Sequence, residues 1–217
     1  MNPRPTVLLS YAQSVDGRIA TITGDSRWIS GDDTLTLAHT LRHQNDAIMV
    51  GIGTVLRDDP ELSCRLPEGR SPVRVILDSA LQTPLTSRIA QTSGAQPTIL
   101  FCAPDPDPLR LARLQDCGID VVAVSRGTAG LQLQAVLAEL AGRAIGSLFV
   151  EGGAAVLTAF LRERLVDRLL VVIAPMIIGR GVESVGELGV RAMAEAIRFT
   201  PVSLEQLGND LVWELRP

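Results

Sequence analysis

Residues 148–159 read Leu148-Phe-Val-Glu-Gly-Gly-Ala-Ala-Val-Leu-Thr-Ala159. A short apolar run, Leu148–Val150, ends in Glu151. Gly152 and Gly153 turn the chain, and small and apolar residues then recur at helical spacing. A strand that passes through two glycines into a helix is the building unit of an α/β sheet. The same order recurs outward from this stretch. Brief runs at Val7–Ala12, Ala47–Val50, Val73–Leu77, Thr98–Cys102, Ile119–Val124 and Leu169–Ala174 alternate with turns and helical patterns. Several are apolar throughout, the pattern of strands buried on both faces of a parallel sheet. Helical spacing occupies Asp32–Arg42, Asp107–Gln115, Leu131–Leu140 and Ala154–Arg164. In the last of these Val156, Leu157, Phe160 and Leu161 form one stripe. Phe199–Leu204 and Leu211–Leu215 flank Gly208-Asn209-Asp210 and read as a hairpin. The expected fold is α/β and three-layered: a mostly parallel mixed sheet between helices, with an antiparallel C-terminal hairpin. No linker or repeat interrupts residues 1–217, so a single domain is expected.

Composition narrows the function. Of 217 residues 46% are hydrophobic and 20% charged, enough apolar material for a core and too much for a disordered chain. The formal charge is −4, so no basic excess is present to hold a nucleic-acid backbone. Aromatic residues make up 3%, too few for base-stacking platforms. Cys64, Cys102 and Cys117 are scattered and form no C-x-x-C pair, so neither a disulfide framework nor a cysteine zinc site is expected. The apolar runs are much shorter than a membrane span, and the first residues do not read as a signal peptide. A soluble cytoplasmic protein without metal is expected.

Ligands of open α/β sheets bind beyond the carboxyl ends of the strands, which directs attention to three junctions. At Glu151-Gly152-Gly153 the glycines admit a close backbone approach, and the helix that follows offers unpaired N–H groups to an anion. A tight turn without a ligand is the alternative, since this is not G-x-G-x-x-G. In the stretch Val50–Pro60, Thr54 and Asp58 are four apart and share a face if the piece is helical; the alternative is a turn capped by Asp58 or Asp59. Asp16-Gly17 follows the first strand and reads first as a turn, though Asp16 falls near the same sheet edge. His39 and His43 are also four apart, but with no third ligand in view they read as helix surface or core contacts. Motifs of serine hydrolases, P-loop nucleotidases and zinc deaminases are missing.

Seven stretches, in this order, carry a resemblance. They are Ser10-Tyr-Ala-Gln-Ser-Val-Asp-Gly-Arg-Ile-Ala20, Gly24-Asp-Ser-Arg-Trp-Ile-Ser30, Leu41-Arg42, Gly53-Thr-Val-Leu-Arg-Asp-Asp-Pro-Glu-Leu62, Arg74-Val-Ile-Leu-Asp-Ser79, Val150-Glu-Gly-Gly153 and Ala174-Pro-Met-Ile-Ile-Gly179. Together they resemble the reductase family of riboflavin biosynthesis over nearly the whole chain. The resemblance implies a dihydrofolate-reductase-like fold, NADPH as hydride donor and a homodimer. It implies a substrate that is a pyrimidine bearing a phosphoribosylamino group, in its diamino or its deaminated form, whose ribose is opened and reduced to a ribityl chain. It places Ser26, Arg42, Leu62, Arg65 and Glu151 at substrate-contacting positions. It places Ala12, Trp28, Thr54, Asp58, Ser79 and residues Gly152, Gly153, Ala154, Ala155, Val156, Leu157, Thr158 and Ala159 at NADPH-contacting positions.

Residue chemistry fits these positions. Arg42 and Arg65 suit a phosphate, although surface ion pairs are their ordinary use. Trp28 suits a cofactor contact, with a core aromatic as the alternative. Opening the sugar needs a proton delivered to the ring oxygen and one removed elsewhere, and Asp16 and Glu151 are the candidate catalytic residues for that work. The chain departs from many bifunctional enzymes in having Ser10 where they carry lysine. It holds no deaminase half, so a separate deaminase is expected. Two rivals stand beside this reading. One is a reductase of the same fold acting on a pterin or dihydrofolate-like compound, which would not need phosphate-suited arginines. The other is a non-catalytic NADP-binding module.

Overall fold

Parallel pairing dominates, as the uninterrupted apolar runs require. In the computed structural model, which describes residues 4–128 and 130–217, the elements follow in chain order. They begin with strands β1 (Thr6–Ser14) and β2 (Arg18–Thr21), helix α1 (Asp32–Gln44), β3 (Ala47–Gly51), α2 (Ile52–Asp58), β4 (Val73–Leu77) and α3 (Arg88–Gln91). Next come β5 (Thr98–Cys102), α4 (Pro108–Asp116), β6 (Asp120–Ala123), the short β7 (Arg126–Gly127) and β8 (Gly130–Leu131), and α5 (Leu133–Gly142). The chain closes with β9 (Ser147–Val150), α6 (Ala154–Arg162), β10 (Arg168–Ala174), β11 (Gly181–Glu183), β12 (Thr200–Leu207) and β13 (Asp210–Arg216). The α/β class, the mostly parallel pairing and the antiparallel C-terminal strands match the expectation. No helix among the described residues is long and apolar enough to cross a membrane.

Two compact units make up the chain. One is His39–Phe149 with the residues up to Thr6; the other is Val7–Ala38 with Val150–Pro217. In the first unit the strand order is β9-β3-β4-β5-β6, and β3–β4, β4–β5 and β5–β6 are parallel. Every residue of β3 and of β5 is buried, which is why neither run alternates with polar residues. Helix α5 buries Leu133, Val136, Leu137 and Leu140, the 3–4 spacing of one helical stripe. It starts at Leu133, later than expected, because Leu131 belongs to β8. Helix α4 begins where its sequence says it should. The Asp107 side chain accepts the N–H groups of Leu109 and Arg110, and Pro108 occupies the first turn, where its missing N–H costs nothing. Asp46, just before β3, accepts from the N–H of Gly146 and from the N–H and hydroxyl of Ser147, each at 3.0 Å.

In the second unit the order is β12-β13-β10-β1. Strand β1 runs parallel to β10, while β10–β13 and β13–β12 are antiparallel. The hairpin turns at Gly208, whose φ of +61° suits glycine. The Asp210 carboxylate accepts from Gly31 N–H at 2.8 Å and from the Thr34 hydroxyl at 2.7 Å, and so caps the start of α1 from a distant strand. Helix α6 ends at Arg162, two residues early, and Arg164 takes a left-handed φ of +54° while Leu165 N–H bonds Phe160 O. The β2–β11 ribbon was not legible in the sequence. A Cβ at Gly181 would lie 2.3 Å from Ala20 O, so the ribbon closes only over glycine.

Asp78 ends β4 fully buried and accepts from Gln82 N–H, Thr83 N–H and the Thr83 hydroxyl at 2.9, 2.7 and 2.8 Å. Removing that carboxylate leaves the buried Thr83 donors unanswered. Asp78→Ala is expected to lower the urea-unfolding free energy by about 2–4 kcal/mol at unchanged m value. A loss below about 1 kcal/mol would mean that the loop satisfies its own donors.

Candidate active site

The second unit supplies two strand-end loops. After β1 the chain turns at Asp16-Gly17, with Gly17 N–H donating to Ser14 O at 2.9 Å and Gly17 at φ +79°. The Asp16 carboxylate is fully engaged. It accepts from the buried Ser14 hydroxyl at 2.6 Å, from Ile178 N–H at 3.1 Å and from Gly179 N–H at 2.7 Å. It therefore fastens the β1–β2 turn to the 174–179 segment, and Arg18 Nε adds a bond to Gly179 O at 2.9 Å. The Ser14 hydroxyl, seconded by the Ile178 amide, holds the Asp16 carboxyl down at about 2. At neutral pH this side chain is an ionised clamp, with no proton to give.

The other loop leads into α6. A Cβ at Gly152 would sit 2.8 Å from Val156 Cβ, so the turn admits no side chain there. Gly153 is the N-cap, and no side chain caps the helix. Its first turn thus presents backbone N–H groups and a positive dipole end, the chemistry that suits a pyrophosphate. Of the expected cofactor segment, Gly152, Gly153, Ala154, Ala155, Val156 and Ala159 are at least partly exposed. Leu157 and Thr158 are buried, and the Thr158 hydroxyl is used internally, donating to Ala154 O at 2.6 Å and accepting from Gly186 N–H at 2.8 Å. Glu151, Ala12 and Ser26 are half-buried.

Trp28 is 71% exposed, which removes the core-aromatic alternative. It lines an open groove of about 500 Å³ together with residues 29–33, Pro175, Met176 and residues 207–210. Asp32, Asp33 and Asp210 line this groove and no lysine or arginine does, so it suits a neutral or cationic ring and repels a phosphate.

The first unit carries the arginines. Arg42, on the last turn of α1, donates through Nη1 to Ser63 O at 3.2 Å. Arg65 is exposed; its backbone N–H meets His39 Nδ1 and its Nε meets His39 Nε2, both at 3.2 Å. His43 Nδ1 accepts from Arg70 N–H at 2.9 Å. The two histidines therefore serve the 65–70 loop as side-chain contacts. Leu62 is buried with φ +56°, so it fixes the path of the loop between Arg42 and Arg65. Thr54 and Asp58 share a face of α2, Thr54 half-buried and Asp58 exposed. The piece is helical and stops at Asp59 (φ +40°) just before Pro60, and the Asp59 carboxylate accepts from Arg88 N–H at 2.9 Å. Ser79 follows the buried Asp78 and is half-buried. Arg74 and Gln96, which also hold the 61–65 loop, were given no part by the sequence reading. The available signal was a charged residue inside an apolar strand, Val73-Arg74-Val75-Ile76.

The lowered Asp16 carboxyl carries a pH signature. Its folded value lies below the unfolded one, so it contributes stability above pH ~4 that is lost as pH falls toward about 2. Asp16→Asn is expected to be less stable than the parent at neutral pH, with the gap closing across that window. Denaturant titrations from pH 2 to 6 measure it, and a gap independent of pH would remove the clamp.

Known proteins resemble this chain over nearly its whole length. The family model described as the RibD C-terminal domain matches residues 5–213. The riboflavin biosynthesis protein RibD of Aquifex aeolicus is 39% identical over 210 residues, covering 96% of this chain. The chain spans 57% of the length of that relative. A 2,5-diamino-6-ribosylamino-4(3H)-pyrimidinone 5′-phosphate reductase of Methanothermobacter thermautotrophicus is 41% identical over 217 residues, covering 97% of each chain. Among solved structures, RibD of Acinetobacter baumannii superposes with a TM-score of 0.87 at 27% identity, over 100% of this chain and 58% of that one. A dihydrofolate reductase of Enterococcus faecalis superposes with a TM-score of 0.52 at 14% identity, covering 97% of this chain and 95% of that one, which speaks for the fold alone. With a family match across nearly its whole length, this chain belongs to the RibD C-terminal domain family.

Proposed function

We propose that this chain reduces the ribose of a phosphoribosylamino-pyrimidine to a ribityl chain with hydride from NADPH, within riboflavin biosynthesis. The observation that carries the reading is the short loop 61–65, which carries Arg65 and accepts a hydrogen bond from Arg42 at Ser63 O. Two guanidinium groups held to one loop are the chemistry of phosphate recognition, and the named relatives act in a pathway whose reductase takes a 5′-phosphate. A pterin or dihydrofolate-like substrate would leave these arginines without a purpose.

The chain's residues fit the cofactor that this reading requires. The uncapped α6 N-terminus behind Gly152 and Gly153 suits its pyrophosphate, and Thr54, Asp58, Ser79 and Trp28 offer polar and aromatic contacts. NADPH supplies the hydride, delivered to the first carbon of the opened sugar. Opening the ring calls for a proton at the ring oxygen, and Glu151 is the residue we assign to move it. Asp16 is assigned instead to holding the 174–179 segment, as its three hydrogen bonds support. Ser26 and Leu62 complete the substrate set. The same reading makes residues 1–217 one reductase domain, working as a cytoplasmic homodimer.

NADPH absorbance, followed with the diamino pyrimidine phosphate and with its deaminated form, tests the proposal. Oxidation with one of the two is expected; NADPH binding without oxidation by either would overturn the substrate assignment and favour a binding module. Glu151→Gln is expected to lower kcat by about 10²–10⁴-fold with little change in NADPH affinity. Arg65→Met is expected to raise KM for the pyrimidine about tenfold or more at similar NADPH affinity, the loss of one charge-assisted contact. An unchanged KM would free Arg65 from the phosphate.

A further inference from the structure

We propose that Arg74 is a positioning residue for the reaction: from inside the first unit it props the 61–65 loop in the shape that presents Arg65 to substrate. The inference rests on the reading of that loop as the substrate's phosphate-binding segment.

Arg74 lies on β4, between apolar neighbours, and is 0% exposed. A fully buried arginine is uncommon and needs its donors answered. Here four of its donor bonds reach neutral oxygens. Nε donates to the Thr98 hydroxyl at 2.9 Å and Nη2 to Gln96 O at 2.9 Å. Nη1 donates to the Thr92 hydroxyl at 2.7 Å and, more weakly, to Glu61 O at 3.4 Å. Thr92 caps the end of α3, Gln96 lies in the turn that leads to β5 and Thr98 opens β5; the fourth acceptor, Glu61, opens the 61–65 loop.

Gln96 extends this set of bonds. Its Nε2 donates to Pro72 O at 2.8 Å and to Leu62 O at 3.3 Å. The loop is then held at each successive residue: Glu61 by Arg74, Leu62 by Gln96, Ser63 by Arg42, Cys64 by the Ser71 hydroxyl at 3.1 Å and Arg65 by His39. Residues 61–65 belong to no strand or helix, so side chains rather than a ladder hold their backbone groups. Leu62 requires such support, because a non-glycine residue at φ +56° persists only where its surroundings demand it. Burial lowers the Arg74 guanidinium to about 10, which leaves it charged at neutral pH. Lysine would keep the charge but lose the planar fork that spans α3, β5 and the loop at once.

The test compares Arg74→Met, Arg74→Lys and Gln96→Leu with the parent protein by three readouts. These are KM and kcat for the pyrimidine phosphate, NADPH affinity by fluorescence, and amide hydrogen exchange. Arg74→Met is expected to raise KM about 10- to 100-fold, the scale of a misplaced binding group, with NADPH affinity held within about twofold. Exchange is expected to quicken at residues 62–65 and to stay unchanged in β3 and β5. Arg74→Lys is expected to recover part of the KM loss. Gln96→Leu keeps the Arg74 bond to the residue-96 carbonyl and is expected to show a smaller effect of the same kind, so it decides the matter if Arg74→Met does not fold. Unchanged KM and loop exchange in a folded variant overturns the proposal. So does a parallel loss of both affinities with faster exchange throughout the sheet, since that is general destabilisation. If the parent oxidises no NADPH with either pyrimidine, the functional reading fails, and loop exchange alone then shows whether Arg74 holds the segment.

Discussion

Hydrogen bonds from buried or half-buried charged side chains to the backbone of irregular segments are the constraint on which the candidate site depends. Parallel strands look after their own N–H and C=O groups, but the segments beyond their ends have no ladder to join. In this chain a charged side chain stands at one such place after another. Asp16 holds residues 178–179, Asp78 holds residues 82–83, Asp210 holds the start of α1, and Arg74 holds residue 61. Each such bond contributes only about 1 kcal/mol net, or somewhat more when charge-assisted, but leaving its partner buried and unanswered costs more. The apolar runs assemble the strands; these few side chains set where the loops between them lie.

The division explains why the catalytic assignment of the two acids separates. Both lie at strand ends, and both are acids beside glycine, so residue type alone treats them alike. Their surroundings do not. Asp16 is answered by one hydroxyl and two amides, which favour its charged form and hold it as a clamp. Glu151 follows the last residue of β9, just before the uncapped turn of α6, and that position supports giving it the proton.

The sequence was informative where structure follows from period and composition. The apolar runs became β1, β3, β4, β5, β6, β9 and β10 with small shifts of boundary, and the helix expected over Asp107–Gln115 became α4 one residue further on, with Asp107 as its N-cap. It was uninformative where structure follows from long-range partners. The β2–β11 ribbon depends on Gly181 passing against Ala20, residues far apart in sequence, and its three- and four-residue strands carry no periodic signal. Trp28 illustrates the same limit for the site: a tryptophan in a polar stretch reads equally as core or contact until its exposure is known. The histidines show the converse. Their spacing suggested a metal, and what decided their use was the loop packed against them, bonded at Arg65 and Arg70.

Charge distribution gives the last constraint. The proposed binding of a phosphorylated substrate and a dinucleotide phosphate by a chain of net charge −4 works against the chain's own average field. At physiological salt that field is screened over about 8 Å, so local groups decide. The groove beside Trp28 has three aspartates along it and no cation, so a phosphate there would meet like charge. Arg42, on α1, bonds the loop that carries Arg65, and the carbonyls and amides of that loop are tied down one by one, so a ligand would not have to order it. In the proposed reading, a held loop under the arginines does for phosphate recognition what net charge does not: it would place a small number of positive groups at short range, where a contact of about 3 Å outweighs a distant negative surface.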